Sequence, residues 1–317
     1  MYKGKTTAVV IPAYNEEKLI GNVIERMPDY IDRVYVINDC SKDNTAVIVE
    51  KIIEDRRKCR ALTSKSDTNH NSLKIKSESS KLSGVILEER NDEESQCGAT
   101  SQLVLINHSI NRGVGAAIIT GYKQSLADGI DITVVMAGDN QMDPAHLPKL
   151  LDPIIDGEAD YTVGDRLSSW KHMKGMSLWR RFGNFLLKWL TRIAAGNMAI
   201  TDPQNGYTAI SRKALEKLAE IGGQIVKNKT GNEQSSTVNA YSGLDAIYPR
   251  YGYCNDILVK LSVAKMRIKQ VPIPAVYGNE KSKIRYHNYI PKVSWLLLKD
   301  FVWRMKIQLN GSIQKYL

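Results

Sequence analysis

Short apolar runs alternate with helical patterns along the first half of the chain. Four runs have the length and β-branched content of buried strands, at 6–12, 34–38, 103–107 and 132–138. Helical spacing of apolar residues lies between them, at 13–27, 43–58 and 116–126. Strands that alternate with helices are typical of a parallel sheet covered by helices. The pattern therefore predicts an α/β fold with a mostly parallel central sheet.

Two polar stretches interrupt this pattern. Residues 59–101 are rich in Ser, Lys, Asn and Glu, and residues 222–242 are polar and contain three glycines. Neither stretch shows a clear hydrophobic period, so both are interpreted as surface insertions or disordered loops.

The composition narrows the class of protein. A chain of 317 residues with 43% hydrophobic residues suits a soluble globular enzyme, and its net charge of +10 favours anionic partners. A solvated basic surface explains the same charge equally well. Because the chain has no aromatic and basic RNA-binding motif, a nucleic-acid partner is not expected.

The cysteines and the apolar segments predict the compartment. The four cysteines, Cys40, Cys59, Cys97 and Cys254, form no CxxC pair, which favours reduced thiols in a cytosolic protein. The first residues lack the apolar core of a signal peptide, and no apolar stretch reaches the roughly 20 residues of a spanning helix.

Two segments look amphipathic, at 179–196 and 293–309, and both combine Trp and Phe with Lys and Arg. Such helices lie on anionic membrane surfaces. A helix packed against the protein core would show the same apolar stripe.

Polar residues follow each of the four predicted strands. Their segments are Asn15–Glu17, 38–45 (NDCSKDNT), 111–115 (NRGVG) and 138–144 (GDNQMDP). Carboxyl ends of parallel strands meet at one edge, where ligands bind, although helix capping would explain any single cluster. Carboxylate and amide oxygens from Asp39, Asp139 and Gln141 suit Mg²⁺ or Mn²⁺ beside a nucleotide diphosphate.

Two other kinds of site are not favoured. The five histidines show no paired spacing for zinc. The NRGVG segment lacks the third glycine of a dinucleotide fingerprint, so a dehydrogenase is rejected.

Six ordered motifs resemble inverting glycosyltransferases of family 2, within the dolichol-phosphate mannose synthase branch of polyprenyl-phosphate glycosyltransferases. They are VVIPAYNEE, NDCSKDNT, NRGVGAAIITGY, GDNQMDP, DPQNGYTAISRKAL (202–215) and VPIPAVYGNEKSKIRY (271–286). The resemblance implies a GT-A, Rossmann-like catalytic domain over 1–270. It also implies a C-terminal basic segment and an amphipathic, membrane-proximal helix over 271–317.

The resemblance also implies roles for individual residues. Pro12, Tyr14 and Glu16 would border the nucleoside, Asp39 would contact the base, and Arg112 and Gly113 would contact the donor. Asp139 and Gln141 would hold Mg²⁺ or Mn²⁺, with Asp139 catalytic. Arg166 would lie near the donor and acceptor phosphates, and a clamp on those phosphates would come from Lys281, Lys283 and Arg285. A solvated basic turn is the alternative for the last three.

The sequence departs from the family pattern at three positions. Ala137 stands where the metal motif usually has its first Asp, and Asn38 and Cys40 stand where Asp and Gly are common. Mg²⁺ needs only one or two protein carboxylates, so Ala137 does not exclude catalysis. It does motivate an alternative of another class, a non-catalytic protein that binds sugar nucleotides.

The nature of the acceptor decides the role of Asp256. A hydroxyl of a glycan or glycolipid needs a general base, for which Asp256 is the candidate, whereas an ionised lipid phosphate needs none. A helix N-cap is the other interpretation of Asp256. The amphipathic segments favour transfer from a UDP- or GDP-sugar to a polyprenyl phosphate of the dolichyl type.

The same segments predict a position in the cell, peripheral to the cytoplasmic face of a membrane, reached directly or through a membrane-protein partner. The base, the sugar, the acceptor and the oligomeric state, including a homo-oligomer, stay open at this stage.

Overall fold

A computed structural model describes residues 1–67, 101–166, 178–230, 242–274 and 286–313. The strands are β1 (Thr7–Ala13), β2 (Arg33–Asn38), β3 (Gln102–Asn107), β4 (Ile132–Val135), β5 (Tyr161–Asp165), β6 (Thr208–Ser211) and β7 (Ile268–Pro272). The helices are α1 (Ile20–Glu25), α2 (Thr45–Asp67), α3 (Val114–Ala127), α4 (Leu147–Ile155), α5 (Leu178–Ala195), α6 (Arg212–Thr230), α7 (Tyr253–Val263) and α8 (Tyr286–Ile313). Short 3₁₀ turns occupy Pro144–His146 and Ser242–Ala246.

The described strands form one sheet in the order β3-β2-β1-β4-β6-β5-β7. All neighbouring pairs are parallel except those that include β6, which is antiparallel to β4 and to β5. The predicted α/β fold with a mostly parallel sheet flanked by helices is therefore confirmed.

Both faces of the sheet centre are buried. Val9 and Ile11 of β1 point into one apolar cluster, and Ala8 and Val10 point into another on the opposite face, all four fully buried. Helix α3 covers the second face, while α1, α2 and α4 cover the first. Each fully buried aliphatic side chain contributes about 1.5–3 kcal/mol to the stability of the fold. Strand β1 is therefore held firmly, and so is the start of the loop that follows it.

A third apolar cluster joins the sheet to the C-terminal helices. It includes Tyr161 of β5, Leu187 of α5, Leu258 of α7, and Val293 and Leu297 of α8. Helix α8 therefore packs through one side against the core that covers the sheet. In the described part of the chain, no helix has an apolar run long enough to cross a bilayer.

The first helix is shorter than the sequence predicts. The prediction of a helix over 13–27 is wrong for its first residues, since α1 begins at Ile20. Asn15 has a left-handed backbone, with φ of 55°, which no helical residue adopts. The chain therefore turns after β1, and it places 14–19 at the carboxyl edge of the sheet.

Parts of both predicted insertions are regular. Residues 59–67 continue α2 and residues 222–230 continue α6, so their assignment as loops is wrong. Gly222 lies in close backbone contact with Gly243, where a side chain on either residue would collide. The remainder of the insertions, 68–100 and 231–241, lies outside the described residues. Strand β7 spans the predicted domain boundary between 270 and 271 and pairs with β5.

Candidate active site

The loops after β1, β2, β3 and β4 each contain one residue in the region of positive φ, at the edge of the sheet formed by the carboxyl ends of these strands. These residues are Asn15 (φ 55°), Cys40 (φ 61°), Gly113 (φ 97°) and Asn140 (φ 58°). Glycine and asparagine adopt this region readily, whereas a cysteine there is strained by roughly 1–2 kcal/mol. The left-handed backbone at Cys40 explains why a glycine would be favoured at that position.

The loop after β1 and the loop after β2 are tied together by hydrogen bonds. The amide of Asn15 donates to Ser41 Oγ (3.0 Å), and the amide of Lys42 donates to Asn15 Oδ1 (2.8 Å). The Glu16 amide donates to Thr45 Oγ1 (2.8 Å) at the start of α2. Pro12, Tyr14 and Glu16 are all half-buried at this junction.

Asp43 and Glu17 complete the junction at the first turn of α2. Asp43 Oδ1 accepts from the Thr45 amide (3.1 Å) and Glu17 Oε2 accepts from the Asn44 amide (3.1 Å). Burial raises the pKa of Asp43, but hydrogen bonds from Thr45 and Glu17 outweigh it, and the pKa lies below its ordinary value. Asp43 therefore acts as a side-chain cap at the start of α2.

Asp39 is buried, with 3% of its surface exposed, and its carboxylate joins the loops after β2 and β3. Oδ1 accepts from the Arg112 amide (2.8 Å) and lies 2.8 Å from Nδ1 of His108, and Oδ2 accepts from the Gly113 amide (2.7 Å). A carboxylate accepts about four hydrogen bonds, so about one position is left for a ligand.

The N-terminus of α3 is occupied by protein groups. Besides the two amides on Asp39, the Ala116 amide donates to Pro249 O (3.0 Å). A Cβ on Gly113 would lie 2.6 Å from Pro249 O, and one on Gly115 would lie 2.7 Å from Pro249 C, so only glycine fits. The amides of Arg112 and Gly113 are therefore used within the protein, and the exposed Arg112 side chain is what remains for a donor.

The loop after β4 carries the predicted metal residues at the same edge. Asp139 and Gln141 are half-buried, and Asp139 Oδ1 accepts from the Gln141 amide (3.1 Å). Arg26 holds the loop from α1 by donating to Asn140 Oδ1 (3.0 Å) and Asp143 Oδ1 (2.8 Å). The structure therefore fixes the backbone on which the predicted ligands sit.

Ala137 is half-buried just before this loop, and its amide donates to Met142 Sδ (3.2 Å). Among the residues that the structure describes, no group of three His, Cys, Asp or Glu side chains could hold a metal ion. A cation here would take few ligands from the protein.

Arg166 lies directly after β5 and forms a two-point ion pair with Asp202. Its Nε lies 2.8 Å from Asp202 Oδ2, and its Nη2 lies 3.1 Å from Asp202 Oδ1. Asp202 is 1% exposed, whereas the Arg166 side chain is 30% exposed at the edge of the sheet. Sequence analysis did not nominate Asp202, although it stands first in the DPQNGY segment.

The segment that precedes β6 packs onto the loop after β4, which is called the metal loop below after its predicted ligands. Tyr207 OH donates to Asp143 O (2.9 Å), and a Cβ on Gly206 would lie 2.8 Å from Tyr253 OH. Residues 202–207, the loop after β4 and the start of α7 therefore meet at one place.

Asp256 is 1% exposed on α7, and both of its oxygens contact the protein. Oδ2 accepts from the Tyr248 amide (2.6 Å), and Oδ1 pairs with the buried Lys260. Gly252, not Asp256, is the N-cap of α7. Asp300 of α8 interacts electrostatically with Asp256 and Lys260. Burial, and then repulsion by Asp256, raise the pKa of Asp300 to about 7.

The three predicted phosphate-clamp residues, Lys281, Lys283 and Arg285, lie outside the described residues. The remaining predicted site residues form two groups at one edge of the sheet. The first group comprises Pro12, near the end of β1, with Tyr14, Glu16, Asp39, Arg112 and Gly113 in the loops after β1, β2 and β3. The second group comprises Asp139, Gln141 and Arg166, in the loops after β4 and β5. Asp256 alone lies in the helical layer.

Three comparisons with known proteins bear on this site. The chain is 29% identical over 274 residues to the UDP-N-acetylglucosamine–dolichyl-phosphate N-acetylglucosaminyltransferase of Methanococcus voltae, covering 86% of each chain. It is 24% identical over 224 residues to the polyprenol monophosphomannose synthase of Mycolicibacterium smegmatis, covering 67% of this chain and 64% of the relative.

Solved structures share the fold. Glucosyl-3-phosphoglycerate synthase from Mycobacterium tuberculosis, in complex with Mn²⁺, UDP and glucosyl-3-phosphoglycerate, matches with a TM-score of 0.52 at 16% identity. The match covers 95% of this chain and 80% of that one. The model of the glycosyl transferase family 2 matches residues 8–70 and 85–219. With its sheet order and edge loops, the chain therefore belongs to glycosyl transferase family 2.

Proposed function

We propose that this glycosyltransferase moves one sugar from a UDP- or GDP-sugar to the phosphate of a polyprenyl lipid, with inversion at the anomeric carbon. The choice of a phosphate acceptor rests on the burial and the hydrogen bonding of Asp256. This carboxylate is 1% exposed and is engaged by the Tyr248 amide and by Lys260. A hydroxyl acceptor needs a base, whereas a phosphate is already ionised near neutral pH. The names of the Methanococcus and Mycolicibacterium relatives support the same acceptor class.

The donor set around Asp139 fits a divalent cation that is held mainly by phosphates. The Asp139 carboxylate and the amide oxygen of Gln141 are enough protein ligands for Mg²⁺, which usually keeps several waters. When bound, such a cation neutralises charge on the departing nucleoside diphosphate. Mn²⁺ in the related synthase structure supports the choice of ion.

Arg166 is the second source of positive charge in this proposal. Asp202 holds its guanidinium at two points, which fixes the plane of the group at the edge of the sheet. The same pair would orient Arg166 between the donor and the acceptor, because residues 202–207 also contact the metal loop. Lys281, Lys283 and Arg285 would add charge from the following segment.

A peripheral contact with a membrane would bring the enzyme to its lipid acceptor. On α5, Phe185, Trp189 and Ile193 are 56%, 40% and 48% exposed, so this part of the apolar stripe does not face the core. On α8 five exposed apolar residues follow a heptad-like spacing, Trp295, Leu298, Val302, Met305 and Leu309, and Ile307 is exposed outside that spacing. The two helices run side by side, with Arg304 Nη2 donating to Ile193 O (3.0 Å).

Basic side chains accompany these apolar residues. Lys188 lies over Phe185, Arg192 over Trp189 and Lys299 over Trp295, at 5.2–5.9 Å from the ring centroids. Apolar and basic side chains together suit an anionic bilayer surface. Cys40 and Cys254 form no disulfide within the described part of the chain. Reduced thiols are typical of the cytosol, so we place the membrane contact at the cytoplasmic face.

Transfer assays with the purified full chain test the proposal. Labelled UDP-N-acetylglucosamine and GDP-mannose are offered with dolichyl phosphate in anionic vesicles, with and without Mn²⁺. Transfer that needs both the lipid phosphate and the cation is expected. Equal transfer to a soluble sugar would contradict the lipid acceptor. Nucleotide-sugar binding without transfer to any acceptor would instead favour the non-catalytic binding protein that Ala137 motivates.

A further inference from the structure

His108 lies directly after β3, with its side chain 5% exposed, and it contacts two polar groups. Its Nδ1 lies 2.8 Å from Oδ1 of Asp39, and its Nε2 lies 2.9 Å from Oγ1 of Thr120 in α3. The Thr120 hydroxyl also lies 3.1 Å from Ala116 O. The ring therefore connects the loop after β2 to the first turns of α3.

Hydrogen-bonding rules fix the ring nitrogen that faces Asp39 as a donor, because an ionised carboxylate only accepts. The Thr120 hydroxyl can then donate to Nε2, or it can donate to Ala116 O and accept from Nε2. In both arrangements His108 is fully bonded, which holds the imidazole in one orientation. A charge-assisted hydrogen bond of this kind is about twice as strong as a neutral one.

The position of Asp39 gives this contact a consequence beyond stability. Asp39 O accepts from Asn111 Nδ2 (3.2 Å), and the Asp39 carboxylate accepts from the amides of Arg112 and Gly113. The next residue, Cys40, adopts a strained left-handed backbone, and its Sγ donates to Ser109 O (3.6 Å). The two loops that would enclose the nucleoside are thus connected through one carboxylate, and His108 supplies its one side-chain donor among the contacts described.

We propose that His108 is a positioning residue for the nucleotide, which orients the Asp39 carboxylate and keeps the loops after β2 and β3 at the separation that a nucleoside requires. This inference rests on the proposed function, because it assumes that the two loops enclose the donor. His108 acts through Asp39 and does not contact the reacting atoms. Its loss should therefore weaken nucleotide binding and leave the chemical step unchanged.

The test measures nucleotide binding and turnover in matched variants of the full chain. Kd values for UDP and GDP with Mn²⁺ are obtained by calorimetry, and kcat is measured at saturating donor. His108→Leu should weaken binding of the preferred nucleotide by roughly ten-fold, because the Asp39 carboxylate would lose the side-chain hydrogen bond that orients it. The kcat value should stay within about two-fold of wild type.

His108→Gln, which can still donate to Asp39, should restore part of the affinity. Thr120→Val removes only the Nε2 partner and should give an intermediate loss; it also serves if His108→Leu does not fold.

Tyr35→Phe provides the matched control for a purely structural effect. Tyr35 is fully buried on β2, and its hydroxyl donates to Asp128 Oδ2 (2.6 Å) at the opposite edge of the same sheet. This variant should lose stability and keep wild-type nucleotide affinity. Wild-type affinity in both His108 variants and in Thr120→Val would overturn this inference and leave the proposed function standing. Failure of the wild type to bind either nucleotide would overturn the proposed function and the inference with it.

Discussion

Arg166 and Asp202 meet through two side-chain hydrogen bonds, of 2.8 Å and 3.1 Å, in which a buried carboxylate orients a partly exposed guanidinium. Replacing Asp202 with Asn keeps the size of the side chain and removes its charge. Arg166 should then lose its fixed orientation, and kcat for sugar transfer should fall roughly 10- to 100-fold. Steady-state kinetics at saturating donor and acceptor measure the change.

A second ion pair of the same geometry offers the control. Arg267 Nε and Nη2 each lie 3.0 Å from an oxygen of Asp160, at the opposite edge of the sheet. Asp160→Asn should lower the melting temperature and retain transfer activity. Equal losses of kcat in the two variants would show that the effect of Asp202 is only structural.

Asp256 distinguishes the two kinds of acceptor. If the acceptor is a lipid phosphate, Asp256→Asn should change kcat by less than about ten-fold, whereas the loss of a general base would cost roughly 10²- to 10⁴-fold. The pH dependence of kcat, measured with dolichyl phosphate, should also keep its wild-type shape.

The neighbouring lysine requires a companion variant. Asp256→Asn leaves Lys260 buried without its partner, which costs about 3–5 kcal/mol of stability. Combining Asp256→Asn with Lys260→Met removes that charge and should restore much of the stability. A folded double variant without activity would favour a hydroxyl acceptor and a base at Asp256.

Ala137→Asp should strengthen binding of the divalent cation. Ala137 is half-buried two residues before Asp139, so a carboxylate can be placed there without full burial. The added charge should lower the Mn²⁺ concentration for half-maximal activity several-fold. Metal titrations of transfer measure this, with Ala137→Asn as the uncharged control and Asp139→Asn as the variant expected to lose metal activation. An identical response in Ala137→Asp and Ala137→Asn would rule out a metal contact at this position.

Cys40→Gly should stabilise the protein. The left-handed φ of 61° strains a residue with a Cβ, and glycine removes the strain at the cost of greater freedom in the unfolded chain. A gain of about 1 kcal/mol in the free energy of unfolding is expected, measured by urea denaturation. Cys40→Ala keeps the Cβ and should show no gain. Similar stability of the two variants would mean that the loop relaxes when the thiol is removed.

Asp300 should make stability fall as the pH rises from about 4 to about 7. In the unfolded chain its carboxyl has a pKa of about 3.9, whereas burial and repulsion by Asp256 raise the pKa in the folded protein to about 7. Between these values the folded state retains a proton that the unfolded state releases, so the free energy of unfolding decreases with pH and then levels off.

Asp300→Asn should remove this part of the slope and stabilise the protein at pH 8 by on the order of 1 kcal/mol or more. Denaturation at pH 5 and pH 8 measures both effects. Asp245→Asn, at a carboxylate that is 50% exposed, should keep the wild-type slope. An unchanged slope in Asp300→Asn would contradict the raised pKa.

The sequence predicts the first half of the fold well because β1, β2 and β4 are buried on both faces. Their near-continuous apolar runs stand out from the surrounding polar loops. Strands β6 and β7 give a weaker signal: only two of the four residues of β6 are apolar (TAIS), and β7 is a half-buried edge strand. The polar end of α6 was assigned to a loop because its contact with Gly243 is not visible in local composition.

The residues of the candidate site also differ in how well the sequence predicts them. Loop residues such as Asp139 are predicted from their position after a strand, which is a local property. His108 and Asp202 are not, because their partners Asp39 and Arg166 lie 69 and 36 residues away along the chain. A single histidine or aspartate has no local pattern that would identify such a role.

The reversed direction of β6 brings a further stretch of chain to the edge where the loops after β1 to β4 lie. Thr208 pairs with Val135 at the carboxyl end of β4, so residues 202–207 reach the active edge before the strand begins, and α6 departs from the far edge. The loops that would hold the donor follow their strands and lead into helices at the same edge. Asp202 and Tyr207 of segment 202–207 therefore reach Arg166 and the loop after β4 from a stretch of chain that is separate from the helix starts at the same edge.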